Sequence, residues 1–420
     1  MADTSNWDWE ISEKGIDMTG WRGDFQWVEE PYASPDGESV AAIVNVGEGE
    51  FTVCVNGETW ESTFDKIWHL RYLPNGSLFA IVSEMGEWTV ALDGQTWENK
   101  FGYVWNPLIS PDGSGVAVAV QQDMRYAMAL NDQPWENDFS NMTYFAISAD
   151  GSRTAAAVQV READSGEIHK FQEGTFSAAL DGKAWDDAFV NVWNLAISPD
   201  GRHLAAEVRL NLYDYTIAVD GKPWDQTYGC VWEPCFHPTT GAVVAPVRTA
   251  GKWAMAADGQ IIWPQHFVQL WQQRFSVDGS KLAAIVAPSF GHWTVAVDGT
   301  PWNTTFNDMV TDLTFSPDAN HLAALGKKAD QWWVVVDGKP WSNAADMAWQ
   351  PVFAPNGPTA AAKLEKAGRY TIAINDRLWR QDCDMVWEPI FSADGSRLLI
   401  RSIEDGIYKR RIIPVSTITG

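Results

Sequence analysis

The chain has 420 residues, 45% of them hydrophobic and 20% charged, with a formal net charge of -25, a balance that excludes disorder and leaves ample apolar surface for a core. So large an acidic surplus opposes contact with nucleic-acid phosphates and anionic membrane surfaces. No stretch approaches the roughly 18 unbroken apolar residues of a membrane helix, and the length fits either several domains or one repeat array sharing a continuous core.

The N-terminal segment MADTSNWDWE has neither a basic nor an apolar targeting region, from which a cytoplasmic location is expected. From there to the C-terminus one unit recurs. Its first anchor is the turn Ser-Pro-Asp-Gly, intact at Ser34 to Gly37, Ser110 to Gly113 and Ser198 to Gly201, with altered copies beginning at Leu73, Ser148, His237, Ser276, Ser316, Ala354 and Ser392. Proline fixes φ and glycine closes the turn, so each copy links two antiparallel strands.

The second anchor is Asp-Gly-x-x-Trp, or its Asn-Gly variant, the strongest short-range hairpin signal. Its tryptophans are Trp60, Trp97, Trp135, Trp185, Trp224, Trp263, Trp302, Trp341 and Trp379, spaced 37 to 39 residues apart except for one gap of 50. That gap holds an insertion at 161–175. The third anchor is another tryptophan eight residues on, at Trp68, Trp105, Trp193, Trp232, Trp271, Trp349 and Trp387. In the same register, Asp17 to Trp21 reads as a further Trp-bearing strand, with Glu29 at the third anchor and Pro31 matching Pro234.

Each unit supplies about four short strands in roughly 40 residues, the size of a propeller blade. The expected fold is all-β, a β-propeller of about ten four-stranded, tryptophan-rich blades within a single repeat domain over 1–420. The alternative arrangement is two five-bladed rings. The last copy, with its turn at Ser392, has no terminal Trp-bearing strand. A strand around Asp17 to Trp21 is therefore expected to complete the last blade and close the ring, removing exposed sheet edges.

Of the 25 tryptophans, 21 fall at recurrent positions: ten on the Asp-x-x-x-Trp strand, seven at the third anchor and four opening the hairpin. Residues fixed by a repeat period pack between units, so these are expected to form inter-blade core. The aromatics that open each hairpin, such as Trp88, Tyr126 and Tyr215, are expected to stack between neighbouring blades. Trp7, Trp9, Trp27 and Trp333 lie outside the pattern and are the candidates for exposed contact. The other distinctive features are the insertion, either a solvated excursion or a partner contact, and the basic C-terminal patch Lys409, Arg410 and Arg411.

Chemistry is hard to place on this repeat. Cys54, Cys230, Cys235 and Cys383 are too few for a disulfide framework, and Cys230 with Cys235 is at most half of a metal site. The histidines His69, His169, His203, His237, His266, His292 and His321 fall in different registers. Phosphate loops and nucleophile elbows do not occur. No catalytic, cofactor-binding or metal-ligating residue is expected, and the turn carboxylates are explained by hairpin geometry.

The Ser-Pro-Asp-Gly turn followed by a strand resembles the WD40-like repeats of TolB-type propellers, over nearly the whole chain. In overall character, an acidic chain of this size, rich in tryptophan and poor in cofactor ligands, resembles the tryptophan-rich D subunits (TmcD) of the Tmc transmembrane redox complexes of sulfate-reducing bacteria. That resemblance implies a cofactor-free, non-catalytic accessory subunit without membrane insertion, docking on an iron-sulfur protein in a complex with a membrane cytochrome b and a multihaem cytochrome c. The alternative is a soluble propeller enzyme, or a propeller binding a glycan or small molecule in its channel.

Overall fold

In the computed structural model, which describes residues 4–161, 174–379 and 382–419, the chain forms ten four-stranded antiparallel blades, a β-propeller fold. The second blade is representative, with strands Lys66–Tyr72, Leu78–Glu84, Glu87–Leu92 and Gln95–Thr96 paired in that order. In the first, ninth and tenth blades the first strand is split. Pro31, Pro351 and Pro389 fall between the halves, as in Trp27–Val28 and Tyr32–Ala33, because proline removes a ladder donor.

Both turn motifs work through side-chain hydrogen bonds. Ser110 Oγ donates to Asp112 Oδ1 at 2.6 Å, and the same oxygen accepts the Ser114 N–H at 3.0 Å. Equivalent serine–aspartate bonds occur at Ser34, Ser148, Ser198, Ser276, Ser316 and Ser392. The serine hydroxyls, followed by neighbouring donors, hold the carboxyls of Asp112, Asp278, Asp318 and Asp394 down at about 2.

The hairpin aspartates are staples as well. Asp93 adopts φ 49°, and its Oδ1 accepts the N–H of Leu78, the first residue of the second strand, at 2.7 Å. Asn56, Asn131, Asp181, Asp220, Asp258, Asp298, Asp337 and Asn375 repeat the bond. One short acceptor that tolerates a left-handed backbone serves turn and strand together. This accounts for the recurrence of aspartate or asparagine at the hairpin position.

The strands divide between two compact units. One spans Phe64–Gln273 and holds the second to sixth blades; the other joins the chain up to Thr63 with Arg274 onward. Within each, the second strands are almost wholly buried and the third strands are buried along their middle, as in Val116–Gln122 and Arg125–Leu130. The second-anchor tryptophans pack between adjacent blades, as expected. A methyl group on the hairpin Gly182, held at φ 76°, would lie 3.1 Å from Trp135 Cβ, and Gly221 and Gly338 face Trp185 and Trp302 in the same way.

Three expectations need correction. The third-anchor tryptophans pack mainly within their own blade on the hairpin-opening aromatic, as in Trp232 on Trp253 at 5.2 Å and Trp193 on Tyr215 at 6.1 Å, and they are only partly buried. The antiparallel ladder brings these two positions to one end of a blade, across the second strand. They are therefore blade-end pairs.

The N-terminal strand does complete the last blade, but it lies at Ser12–Asp17, paired antiparallel with Ile407–Pro414. Asp17 only ends it. Trp21 sits beyond, on the single helical turn Trp21–Asp24, buried against Ile16, Tyr408 and the first blade. The long third strand Ile407–Pro414 offers more pairing length than Asp-to-Trp spacing anticipates, and the chain takes it.

The Lys409–Arg411 triplet is likewise no exposed patch. Arg410 and Arg411 are nearly inaccessible, and Lys409 is mostly buried. Arg410 Nε donates to Asp36 O at 2.9 Å, Tyr408 Oη to Gly37 O at 2.8 Å, and Arg401 Nη1 to Ser34 O at 2.9 Å. The last blade thereby grips the first Ser-Pro-Asp-Gly turn. Arg411 binds Glu13 at 2.6 Å on the N-terminal strand and also Glu404, whose second oxygen takes Lys409 at 2.8 Å.

Candidate functional site

Because strands alternate in direction, each blade has two unlike ends. The Ser-Pro-Asp-Gly and Asp-Gly turns occupy one end. The turn from second to third strand and the start of the first strand occupy the other. Turn tips are ordinarily polar, with glycine or asparagine where φ is positive. In the second and third blades they are Met85-Gly86 and Asp123-Met124.

Met85 has φ 52° and is 90% exposed, and Met124 has φ 60° and is 79% exposed. A left-handed backbone costs a non-glycine residue about 1–2 kcal/mol, and these exposed side chains bury little surface to offset it. Tyr213, in the corresponding turn of the fifth blade, is also 79% exposed. The insertion at 161–175 lies in that turn of the fourth blade; its residues 162–173 fall outside the described residues.

Beside the two methionine tips runs a continuous series of aromatic rings. Trp88 contacts Trp68 at 4.4 Å between ring centroids, Trp68 contacts Tyr103 at 6.3 Å, Tyr103 stacks on Trp105 at 5.9 Å, and Trp105 meets Tyr126 edge-on at 5.9 Å. Tyr103, Trp105, Gln121 and Tyr126 line a shallow cleft of about 350 Å³. Trp68 and Tyr103 are well over a third exposed. Lys66 Nζ lies 5.8 Å from the Trp68 ring and 5.7 Å from that of Trp88, within cation–π range. Large aromatics and adaptable methionines grouped on an exposed face are the composition of an interface.

Of the tryptophans outside the repeat register, Trp27 is exposed, Trp7 and Trp9 stack on each other at 6.2 Å, and Trp333 lies against Phe306. None joins the aromatic series. Cys54 and Cys383 are buried, and burial followed by Glu404 pushes the Cys383 thiol up to about 12. Cys230 and Cys235 are half-buried, each directed at a backbone carbonyl. His203 and His321 hold hairpin aspartates at 2.6 Å. Among the described residues, no group of three or more His, Cys, Asp or Glu side chains is placed to hold a metal ion.

The first strands carry a feature that sequence reasoning missed. Next to the third anchor, His69, Asn106, Tyr144, Asn194, Gln272 and Asp312 adopt a left-handed backbone, and five of these blades have a register shift at the same place. In the fifth blade the bulge aims Asn194 Nδ2 at Glu207 Oε2, 2.9 Å away. Glu207 is only 5% exposed, and burial, opposed by that hydrogen bond and aided by Glu233, pushes its carboxyl up to about 7. The signal was present in the sequence. Glu207, Lys363 and Arg401 occupy one register of otherwise apolar second strands, opposite Trp193, Trp349 and Trp387.

No family model and no curated protein matches the chain. Among solved structures with a similar backbone, one described as a crystal structure of the eukaryotic initiation factor aligns with TM-score 0.45 and 11% identity, covering 77% of this chain and 91% of that one. Another, described as the Dos1 propeller, aligns with TM-score 0.36 and 12% identity, covering 95% of this chain and 94% of that one. Similarity at this level carries no functional argument. The strand order within the blades defines the fold.

Proposed function

We propose that the protein is a non-catalytic docking subunit, without a cofactor of its own, and that the methionine tips and aromatic series of the second and third blades meet its partner. The observation supporting this reading is the placement of Met85 and Met124. Both are apolar, exposed and left-handed, so they cost folding stability that a contact outside the chain would offset. The repeat explains most other distinctive residues as turns, staples and packing.

The resemblance to the D subunits of Tmc complexes supplies the partner class. On that reading the face docks on the iron-sulfur protein of a membrane redox complex, with cytochrome b and multihaem cytochrome c as the further subunits. The chain would then lie in the cytoplasm at the inner face of the membrane, held there by its partners. No helix of the described residues is long and apolar enough to cross a membrane.

Affinity purification of the tagged full chain from its native cells tests this. Haem and iron-sulfur subunits are expected to co-purify with the natural sequence. The double variant Met85→Asp, Met124→Asp is expected to lose them while keeping its melting temperature, because both side chains are exposed. Recovery of the natural chain alone, or undiminished recovery of partners with the double variant, would overturn the proposal.

A further inference from the structure

The junction between the last blade and the first is built unlike the others. Elsewhere the fourth strand is two residues long and the segment after it bridges back to the third strand, as Phe101 does to Trp88 between Gln95–Thr96 and Tyr103. Here the fourth strand is the six-residue Ser12–Asp17, and the segment Met18 to Gln26 that joins it to Trp27–Val28 carries the helical turn Trp21–Asp24. At the third anchor of the first blade, Glu29 replaces the tryptophan found in seven other blades. Both departures border one pocket.

The pocket measures about 530 Å³, within the range of small-molecule sites. Its apolar wall is formed by Met18, Trp21, Val28, Pro31, Met385 and Ile403. Three charged residues also line it, and they are not equivalent. Asp384 is occupied, binding Arg369 and accepting the Asp405 N–H. Arg22 and Glu29 have no side-chain hydrogen bond or ion pair among the described residues, with each other or with any neighbour. Burial raises the Glu29 carboxyl above its usual range.

We propose that this pocket binds a free α-amino acid with a large apolar side chain. The apolar wall takes the side chain, the Arg22 guanidinium takes the carboxylate, and the Glu29 carboxylate takes the ammonium group. Two opposite, unsatisfied charges beside an apolar slot match a zwitterion better than any ligand of single charge. A side chain at position 29 lines the pocket, so the tryptophan of the other blades would project into the same space.

Isothermal titration of the full chain with L-tryptophan, indole-3-acetate and tryptamine separates the alternatives. L-Tryptophan is expected to bind one-to-one, about ten-fold or more tighter than either singly charged analogue. Arg22→Met should reduce its affinity to that of tryptamine, and Glu29→Trp should abolish binding. Failure of L-tryptophan to saturate by about millimolar concentration would overturn the proposal. Equal or tighter binding of either analogue, or full affinity in Arg22→Met, would overturn it too. Arg22 is exposed, so that variant decides the matter even if Glu29→Trp misfolds.

Discussion

Replacing Arg411 with methionine is expected to cost roughly 1–3 kcal/mol of unfolding free energy, because it leaves the mostly buried Glu404 carboxylate with Lys409 alone and takes from Glu13 its nearest cation. The Arg411 side chain is 5% exposed and binds Glu13 on the N-terminal strand, Glu404 on the neighbouring strand and Ser402 Oγ at 2.9 Å. With Lys409, 3.9 Å from Glu13, it links the two ends of the chain in the last blade by charge. Burial pushes the Glu404 carboxyl up, but hydrogen bonds from Arg411 and Lys409 outweigh it and hold it down at about 2.

The pH dependence follows from that direction. A carboxyl depressed in the folded state adds stability that is fully present above its unfolded value and disappears as pH falls through its folded value. The penalty in Arg411→Met should therefore be largest near neutrality and shrink between about pH 4.5 and pH 2. Arg411→Lys, which keeps the charge but loses the planar fork, should fall between the two. Denaturant unfolding of the three proteins at pH 7 and pH 3 measures this. An Arg411→Met variant as stable as the natural chain at pH 7 would show that the N-terminal strand does not depend on the ion pairs.

Glu207→Gln is expected to act in the opposite direction. The Glu207 carboxyl is raised to about 7, so folding favours its protonated form and stability declines as pH rises from the unfolded value through 7. The amide has no charge to desolvate and can still accept the Asn194 bond. At pH 8 the variant should be more stable by roughly 3 kcal/mol, and the difference should vanish below about pH 4.5. Equal stability of the two proteins at pH 8 would mean that water reaches Glu207.

Much of this fold was legible because its signals are local and repeated. Ser-Pro-Asp-Gly and Asp-Gly each specify their own turn through bonds spanning a few residues, as Ser110 to Asp112 and Asp93 to Leu78 show. Completion of the last blade by the N-terminus was legible from a missing strand. Its placement at Ser12–Asp17 was not, because strand length depends on the partner Ile407–Pro414. Arg410 and Arg411 read as exposed for a related reason: their carbonyl and carboxylate partners lie hundreds of residues away in sequence.

The candidate docking site was less legible. Its tryptophans sit at repeat positions, and the repeat accounts for why Trp68 and Trp105 are aromatic but not for their exposure. Exposure at a blade end follows from strand order. Met85 and Met124 look like ordinary turn residues until their backbone conformation is known. The insertion at 161–175 and Trp27 were set apart from the repeat, and each falls at the end of its blade equivalent to the one that carries the methionines in theirs.

The docking account is tested most directly by amide hydrogen exchange on the chain alone and in complex with the partners recovered from its native cells. Exchange should slow on binding at the turns Glu84–Glu87 and Gln122–Arg125, and it should be unchanged at the opposite-end turns Leu73–Gly76 and Ser110–Gly113. Protection at those opposite-end turns, with Met85 and Met124 exchanging as freely as before, would contradict it.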